Sequence, residues 1–209
     1  MIEGIKICGV SDLNTLNYIV EHANPPQFIG FITNYKKSKR YIEFEKLKEL
    51  VNIDRRGINF VSVLVNPDDK ILEKIKNLKF DYYQLYDVSP EKTKSIKERY
   101  KIRIISAITI NNKDDVDQYK KYENISDIIL FDGKGYEKSF GFDHELLNNV
   151  SNTIKKMLAG NIQYNDDLEK FSKIADIIDI SGSLETREKK DISKINILLE
   201  KVSKIKNEN

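Results

Sequence analysis

Apolar residues along this chain form short continuous runs, which are separated by longer segments with an amphipathic pattern. The short runs are rich in isoleucine, valine and aromatic residues, which favour β-strands. They begin roughly 20 to 32 residues apart, a distance typical of one strand followed by one helix. Eight strands are predicted in this way, over residues 5–8, 28–32, 60–65, 82–86, 103–108, 127–131, 155–160 and 175–181.

Most of the segments between these runs carry an apolar residue every three or four positions, the pattern of a helix with one buried face. In the first segment Leu16 and Val20 share such a face, and Ser11 or Asp12 precedes it as a capping residue. In the second segment Pro67 is expected in the first helical turn. The pattern predicts helices over residues 12–23, 66–78, 89–100, 166–175 and 191–205.

The alternation of strand and helix continues without a break in composition, which predicts a single α/β domain over residues 1–209. Eight successive strand–helix units fit a (β/α)8 TIM barrel in a compact form, since the usual length is about 250 residues. A doubly wound open sheet is the main alternative, because the same alternation also builds that fold. In a barrel, reactive side chains lie at the C-terminal ends of the strands and in the loops that follow them.

The charge balance narrows the classes of partner. The chain has 35 basic and 33 acidic residues and a formal net charge of +2, which gives no reason to expect nucleic acid or an anionic membrane as partner. No apolar run approaches the roughly 20 residues of a membrane span, and the first residues lack the pattern of a secretion signal. One cysteine and two histidines leave little for a metal site. We therefore expect a cytoplasmic protein without a structural metal.

Strand alternation gives the cysteine a defined environment. In residues 5–8, Ile5 and Ile7 share one face, towards the helices, whereas Lys6 and Cys8 share the other, towards the barrel axis. A cysteine in an apolar strand is usually an inert core residue. A cysteine at a strand end beside a lysine ammonium is different, because the positive charge favours a thiolate that acts as nucleophile or general base. Gly9 would let substrate or backbone approach closely.

Asp132 follows the apolar strand over residues 127–131 and is the leading candidate for a general acid. Burial disfavours the charged carboxylate and raises the pKa, so that the carboxyl group is still protonated near neutral pH. The alternative is an ordinary aspartate at the start of a loop, where it caps a turn with Gly133.

The last two strands end in segments suited to a phosphate group. Backbone amides and hydroxyl groups bind phosphate, and the loops after strands seven and eight are its common position in these barrels. Glycine and serine are also ordinary turn residues, which is the alternative interpretation. The predicted phosphate-binding residues are Gly160, Asn161, Ser181, Gly182 and Ser183.

Several motifs occur in the order and spacing of a known family. The chain has KICG at 6–9, KSKRYI at 37–42, VSVLVN at 61–66, QLY at 84–86, ILFD at 129–132, LAGN at 158–161 and DISGSLE at 179–185, followed by KKD at 189–191. Over nearly its whole length the sequence resembles the phosphoribosylanthranilate isomerases of tryptophan biosynthesis, of which KICG is the most specific signature.

The resemblance implies an Amadori rearrangement, in which the furanose ring of N-(5-phosphoribosyl)anthranilate opens to give 1-(2-carboxyphenylamino)-1-deoxyribulose 5-phosphate. In that family a cysteine removes a proton from C2 and an aspartate protonates the ring oxygen, which corresponds here to Cys8 as general base and Asp132 as general acid. No metal or redox cofactor is implied. Members of the family occur as monomers and as homodimers. The residues expected to contact the substrate are Lys6, Arg40, Gln84 and Asp179, with Arg40 at the anthranilate end.

The sequence departs from the family pattern mainly in its loops. Tyr86 stands where the family has histidine, Asp87 and Asn161 each replace a glycine, residues 133–144 lack the usual consecutive glycines, and SGS replaces SSG at 181–183. Two other functions therefore stay open. One is the related isomerase of histidine biosynthesis, which usually has aspartate at the position of Cys8 and needs two phosphate sites. The other is a degenerate barrel that binds a sugar phosphate or a partner protein without catalysis.

Overall fold

Eight parallel strands close into a barrel in the order in which they occur along the chain. The computed structural model describes residues 2–133 and 141–207. The closed barrel confirms the predicted (β/α)8 fold and shows that the open-sheet alternative is wrong. The strands are β1 (Gly4–Cys8), β2 (Phe28–Ile32), β3 (Asn59–Val65), β4 (Tyr82–Tyr86), β5 (Arg103–Ile110), β6 (Ile128–Gly133), β7 (Lys156–Leu158) and β8 (Ile177–Ile180); a short hairpin, β9 (Glu185–Thr186) and β10 (Lys189–Lys190), follows.

Helices surround the barrel unevenly. The α-helices are α1 (Leu13–Glu21), α2 (Phe44–Val51), α3 (Asp69–Ile75), α4 (Pro90–Tyr100), α5 (Lys113–Val116) and α6 (Ile192–Asn207). Around β6 and β7 the connections instead contain the 3₁₀ segments Asp117–Lys121, His144–Asn149 and Leu168–Phe171. Asp12 caps α1 by accepting a hydrogen bond from the Thr15 amide, as one of the two predicted caps.

Two of the helix predictions are wrong in detail. The segment 166–175 forms only the 3₁₀ turn Leu168–Phe171, in which Leu168 and Phe171 are both buried. A 3₁₀ turn has three residues, so this i, i+3 pair lies on one side and is buried without a longer helix. Pro67 lies outside α3, because Asp68 is the N-cap and accepts a hydrogen bond from the Ile71 amide.

The strands separate two apolar layers. Ile5 and Ile7 belong to the outer core between the strands and the helices, whereas Cys8 belongs to a second cluster inside the barrel. This arrangement confirms the alternation predicted for β1. The buried residues of the inner cluster are Cys8, Phe28, Val61, Val63, Tyr82, Tyr86, Ile105, Ile128, Leu130, Met157, Ala159 and Ile177.

The register of β1 with its neighbours β2 and β8 determines which side chains meet there. Lys6 of β1 pairs with Asp179 of β8, and Cys8 of β1 pairs with Gly30 of β2. Neighbouring parallel strands lie about 5 Å apart, so inward side chains at paired positions are in contact range. Among the described residues, no helix has the length and apolar character needed to cross a lipid bilayer.

Candidate active site

Lys6 lies inside the barrel and is fully buried. Its Nζ atom donates a hydrogen bond to Oδ2 of Asp179 at 2.7 Å, which joins β1 to β8 by an ion pair. Burial lowers the pKa of Lys6. Interactions with Asp179, and to a smaller extent with Cys8, raise it by more than burial lowers it, so the net pKa lies above its ordinary value. Lys6 is therefore a permanent cation whose charge is largely offset by one carboxylate.

Gly30 makes room for both Lys6 and Cys8. A Cβ atom at position 30 would lie 2.9 Å from Sγ of Cys8 and 3.1 Å from Nζ of Lys6, so any side chain there would displace them. Gly30 is absent from the predicted site residues, although a glycine in the middle of a strand is a known sign of close approach. The sequence of β2 is FIGFI, with Gly30 as its central residue, so a close approach at this position could have been predicted.

The Cys8 thiol is buried inside the barrel. Burial raises its pKa, Lys6 lowers it and Asp179 raises it, and the net pKa lies above the ordinary value of 9.0. The positive charge of Lys6 acts in the predicted direction, but burial has the larger effect. In the free protein Cys8 is therefore mainly a thiol at neutral pH rather than a thiolate.

Asp132 lies near the end of β6 in a buried environment, which favours the protonated form of its carboxyl group. Burial raises the pKa of its carboxyl group to about 7, although a hydrogen bond from Tyr86 lowers it. This confirms the predicted direction of the shift. The Tyr86 hydroxyl donates to Oδ2 of Asp132 at 2.8 Å, and Nε2 of Gln84 donates to the Tyr86 hydroxyl at 3.3 Å.

Two buried oxygen atoms at the site have no hydrogen-bond partner in the described part of the chain. They are Oε1 of Gln84 and Oδ1 of Asp179. Buried acceptors without a donor are costly, so each of these atoms is a place where a donor from a ligand or a water molecule would bind. Hydroxyl and amine groups of a sugar derivative are donors of the required kind.

Arg40 lies at the rim of the barrel against Gly9. Its Nε and Nη2 atoms donate to the two carboxylate oxygens of Glu185 at 2.5 and 2.8 Å. Gly9 has φ of +77°, and a Cβ atom there would overlap Cδ of Arg40. The close approach expected at Gly9 is therefore made by the Arg40 side chain rather than by backbone.

Glu185 and Lys190 form a support for the site that is not predicted from the sequence. The buried Lys190 ammonium donates to Glu185 at 2.7 Å and to the Ser181 carbonyl at 2.9 Å. The Ser181 hydroxyl in turn donates to the Cys8 carbonyl at 2.9 Å. These contacts link Arg40, the β9–β10 hairpin and the end of β1. Glu185, Lys190 and Ser181 all lie in the segment DISGSLE followed by KKD, but no spacing in it indicates which groups meet.

The predicted phosphate-binding residues lie in the loops after β7 and β8. Gly160 and Asn161 have φ of +100° and +53°, and Gly182 begins the 3₁₀ turn Gly182–Leu184. The Ser183 hydroxyl donates to the Ile162 carbonyl at 2.9 Å, which holds the two loops together. Because the hydroxyls of Ser181 and Ser183 donate to carbonyl groups, we expect a phosphate here to be bound mainly by backbone amides of the two loops.

The barrel thus brings the predicted site residues into one region. The charges of Lys6 and Asp179 both act on Asp132, and those of Lys6, Asp179 and Lys190 act on Cys8. Arg40 lies at the rim and is joined to the site through Glu185. In residues 2–133 and 141–207 there is no group of three histidine, cysteine or acidic side chains suited to a metal ion. Of the loop departure at 133–144, residues 134–140 lie outside the described part of the chain.

Comparison with known proteins identifies the family. A family model described as N-(5'phosphoribosyl)anthranilate (PRA) isomerase matches residues 5–201. The N-(5'-phosphoribosyl)anthranilate isomerase of Zymomonas mobilis subsp. pomaceae is 31% identical over 209 residues, covering 94% of this chain and 96% of that protein. The enzyme of the same name from Agrobacterium fabrum is 30% identical over 210 residues, covering 95% and 94% respectively.

Solved structures give the same result. The phosphoribosyl anthranilate isomerase of Thermotoga maritima superposes with a TM-score of 0.85 at 25% identity, covering 98% of this chain and all of that one. A structure of such an isomerase in complex with reduced 1-(o-carboxyphenylamino)-1-deoxyribulose 5-phosphate superposes with a TM-score of 0.82 at the same identity and coverage. The chain belongs to the family of N-(5'-phosphoribosyl)anthranilate isomerases, the isomerases of tryptophan biosynthesis.

Proposed function

We propose that this protein converts N-(5'-phosphoribosyl)anthranilate into 1-(o-carboxyphenylamino)-1-deoxyribulose 5-phosphate, with Asp132 as general acid and Cys8 as general base. One observation carries the assignment of roles. The same barrel holds a buried carboxyl group with a pKa of about 7 and a buried thiol with a pKa above 9.0. Both groups also act on Tyr86, and two titratable groups whose environments differ within one site are the usual arrangement for acid–base catalysis.

Asp132 acts first. It transfers its proton to the ring oxygen of the ribose while the bond between C1 and that oxygen breaks, and the anilino nitrogen donates its lone pair to form a C=N bond. The neutral carboxyl group suits this step, because a raised pKa keeps the proton available near neutral pH. Asp132 ends the step as a carboxylate, which the hydrogen bond from Tyr86 stabilises.

Cys8 acts second. Its thiolate removes the proton from C2, and the electron pair of that bond forms a C=C bond between C1 and C2 while the nitrogen becomes neutral. The product is an enol, whose tautomerisation gives the ketone. Lys6 favours the thiolate that this step requires, and Gly30 leaves the space in which thiolate and ammonium lie side by side.

The remaining residues bind the two ends of the substrate. Arg40 offers a fixed guanidinium group to the anthranilate carboxylate or ring, since Glu185 holds its side chain at the rim. Gln84 and Asp179 each present to substrate hydroxyl or amine groups an acceptor that has no partner among the described residues. The loops with Gly160 and Gly182 hold the phosphate, together with Asn161, Ser181 and Ser183. The reaction proposed here uses no metal and no redox cofactor.

The pH dependence of kcat/KM is expected to show two bends. The active form of the free protein carries a Cys8 thiolate and a protonated Asp132. Below about pH 7 Asp132 stays protonated while the thiolate fraction grows about tenfold per pH unit, so kcat/KM rises. Above that pH the loss of the Asp132 proton cancels the gain of thiolate, and kcat/KM is level. Above the pKa of Cys8, which exceeds 9.0, only the loss continues and kcat/KM falls.

The lower bend thus belongs to the acid and the upper bend to the base. Asp132→Asn is the control, because its residual kcat/KM should rise without a bend at about pH 7 and become level only above the pKa of Cys8. This control also separates Asp132 from the substrate phosphate, whose second pKa of about 6 would still bend the profile. A profile of the unaltered protein that already falls between these two pKa values contradicts the assignment.

Complementation tests the function in a cell. The gene is expected to restore growth without tryptophan to a bacterium that lacks its own phosphoribosylanthranilate isomerase. The Cys8→Ala variant, expressed to the same level, should fail to do so. Growth supported equally by both versions contradicts the role of Cys8, and growth supported by neither contradicts the proposed function.

A further inference from the structure

Tyr86 of β4 forms a hydrogen bond with Asp132 of β6, the predicted general acid. Its phenol hydroxyl lies inside the barrel, 2.8 Å from Oδ2 of Asp132, and the residue is only 5% exposed. We propose that Tyr86 is a positioning residue for Asp132, which fixes the carboxyl group so that Oδ1 is the oxygen that carries and transfers the proton. This inference rests on the proposed function, because it assigns the means by which Asp132 is held ready as an acid.

The direction of the hydrogen bonds supports this role. The amide nitrogen of Gln84 can only donate, so the phenol oxygen of Tyr86 accepts from it at 3.3 Å. The phenol hydrogen is then available for Oδ2 of Asp132. The carbonyl oxygen of a neutral carboxyl group is the better acceptor, so the hydrogen bond from Tyr86 favours Oδ2 as the carbonyl oxygen and the proton on Oδ1. Gln84, Tyr86 and Asp132 thus form one directed chain from β4 to β6.

The other charged and titratable groups facing Asp132 do not replace Tyr86. Asp179 of β8 raises the pKa of Asp132, whereas Lys6 of β1 and a backbone hydrogen bond from Gly133 each lower it less than the Tyr86 hydrogen bond does. Cys8 faces Tyr86 from β1. Burial keeps the pKa of Tyr86 well above 10.0, so the phenol is neutral over the whole working range and always has a hydrogen to donate. Histidine, the residue that the family pattern has at this position, would instead titrate near pH 6.5.

Tyr86→Phe removes the hydroxyl and keeps the ring. Loss of a hydrogen bond to the carboxylate raises the pKa of Asp132, so we expect the lower bend of the kcat/KM profile to move up by about one pH unit. The upper bend, which belongs to Cys8, should stay in place. At about pH 6, where Asp132 is protonated in both proteins, we expect kcat/KM to fall about tenfold, because the acid is no longer oriented.

Tyr83→Phe is the matched control. It removes a hydroxyl from a buried tyrosine of the same strand, but Tyr83 packs on Phe80 and Tyr100 in the outer core. Neither bend nor the rate at about pH 6 should change in this variant. If the lower bend of Tyr86→Phe stays at about pH 7, Tyr86 does not act on Asp132 and the proposal is wrong.

A titration without substrate separates this inference from the proposed function. Infrared difference spectra between the unaltered protein and Asp132→Asn isolate the carboxyl band of Asp132, whose midpoint is the pKa. The midpoint is expected to rise in Tyr86→Phe and, by less, in Gln84→Leu, which leaves Tyr86 in place. An unchanged midpoint in both variants overturns the role of Tyr86 even if the protein turns over. A raised midpoint in a protein without turnover supports that role and leaves the proposed function as the part that failed.

Discussion

Serine in place of Cys8 is expected to lower kcat by about a hundredfold or more and to leave KM within a few-fold of its original value. The two side chains are similar in size, so serine fits the space beside Gly30 and Lys6. Its hydroxyl does not ionise in the working range, because alcohols lose a proton far less readily than thiols. The base is therefore lost while the shape of the site is kept, and steady-state kinetics at several pH values measure the result.

Cys8→Ala gives the matched comparison. If Cys8 acts as the base, the serine and alanine variants should lose similar factors in kcat, because neither supplies a thiolate. Thermal unfolding of both variants checks that the barrel is intact. Near-normal turnover in the serine variant would move the base to another residue. Asp179, whose Oδ1 has no partner in the part of the chain that the structure describes, would be the first to test.

Asp132→Asn is expected to lower kcat by about a hundredfold or more as well. Asparagine keeps the shape of the side chain and can still accept the hydrogen bond from Tyr86, but it has no acidic proton for the ring oxygen. The substrate loses no major binding contact, so KM should change little. Steady-state kinetics near the level part of the pH profile give the comparison.

A double variant that combines Cys8→Ser with Asp132→Asn tests whether the two residues act in one reaction. With both groups removed, the loss should be smaller than the product of the two single losses, because residues that act in one reaction sequence are not additive. Turnover of Asp132→Asn within a few-fold of the unaltered protein would show that ring opening does not depend on this acid.

Part of the site can be predicted from the alternation of side chains along the strands. Because side chains alternate along a strand and active residues lie at strand ends, the sequence alone assigns Lys6 and Cys8 to the barrel interior and places Asp132 at the end of an apolar strand. The raised pKa of Asp132 follows from the apolar strand around it. These inferences need only local sequence, since β1 and β6 are short and regular.

Other features depend on contacts between distant segments. Arg40 and Glu185 are 145 positions apart, and no pattern in either segment indicates that they pair. The net shift of the Cys8 pKa depends on the balance between burial, Lys6 and Asp179, which sequence alone does not give. In the sequence Tyr86 is only a departure from the family pattern, and the register of β4 and β6 on β5 brings it to Asp132.

The helix errors have a related cause. Around Leu168 the pattern of apolar residues fits an α-helix, but a 3₁₀ turn buries the same two side chains. Periodicity reports which residues are buried and does not distinguish a short helix from a single turn. These errors lie outside the barrel and leave the site unaffected.

Turnover of N-(5'-phosphoribosyl)anthranilate by the purified protein tests the central claim most directly. The substrate has anthranilate-type fluorescence that is lost on conversion, and the histidine-pathway substrate in a parallel assay tests the related activity. We predict rapid loss of fluorescence with the unaltered protein and a rate about a hundredfold or more lower with Cys8→Ser and with Asp132→Asn. Unchanged fluorescence, under conditions in which a known isomerase of this family converts the substrate, would contradict the account.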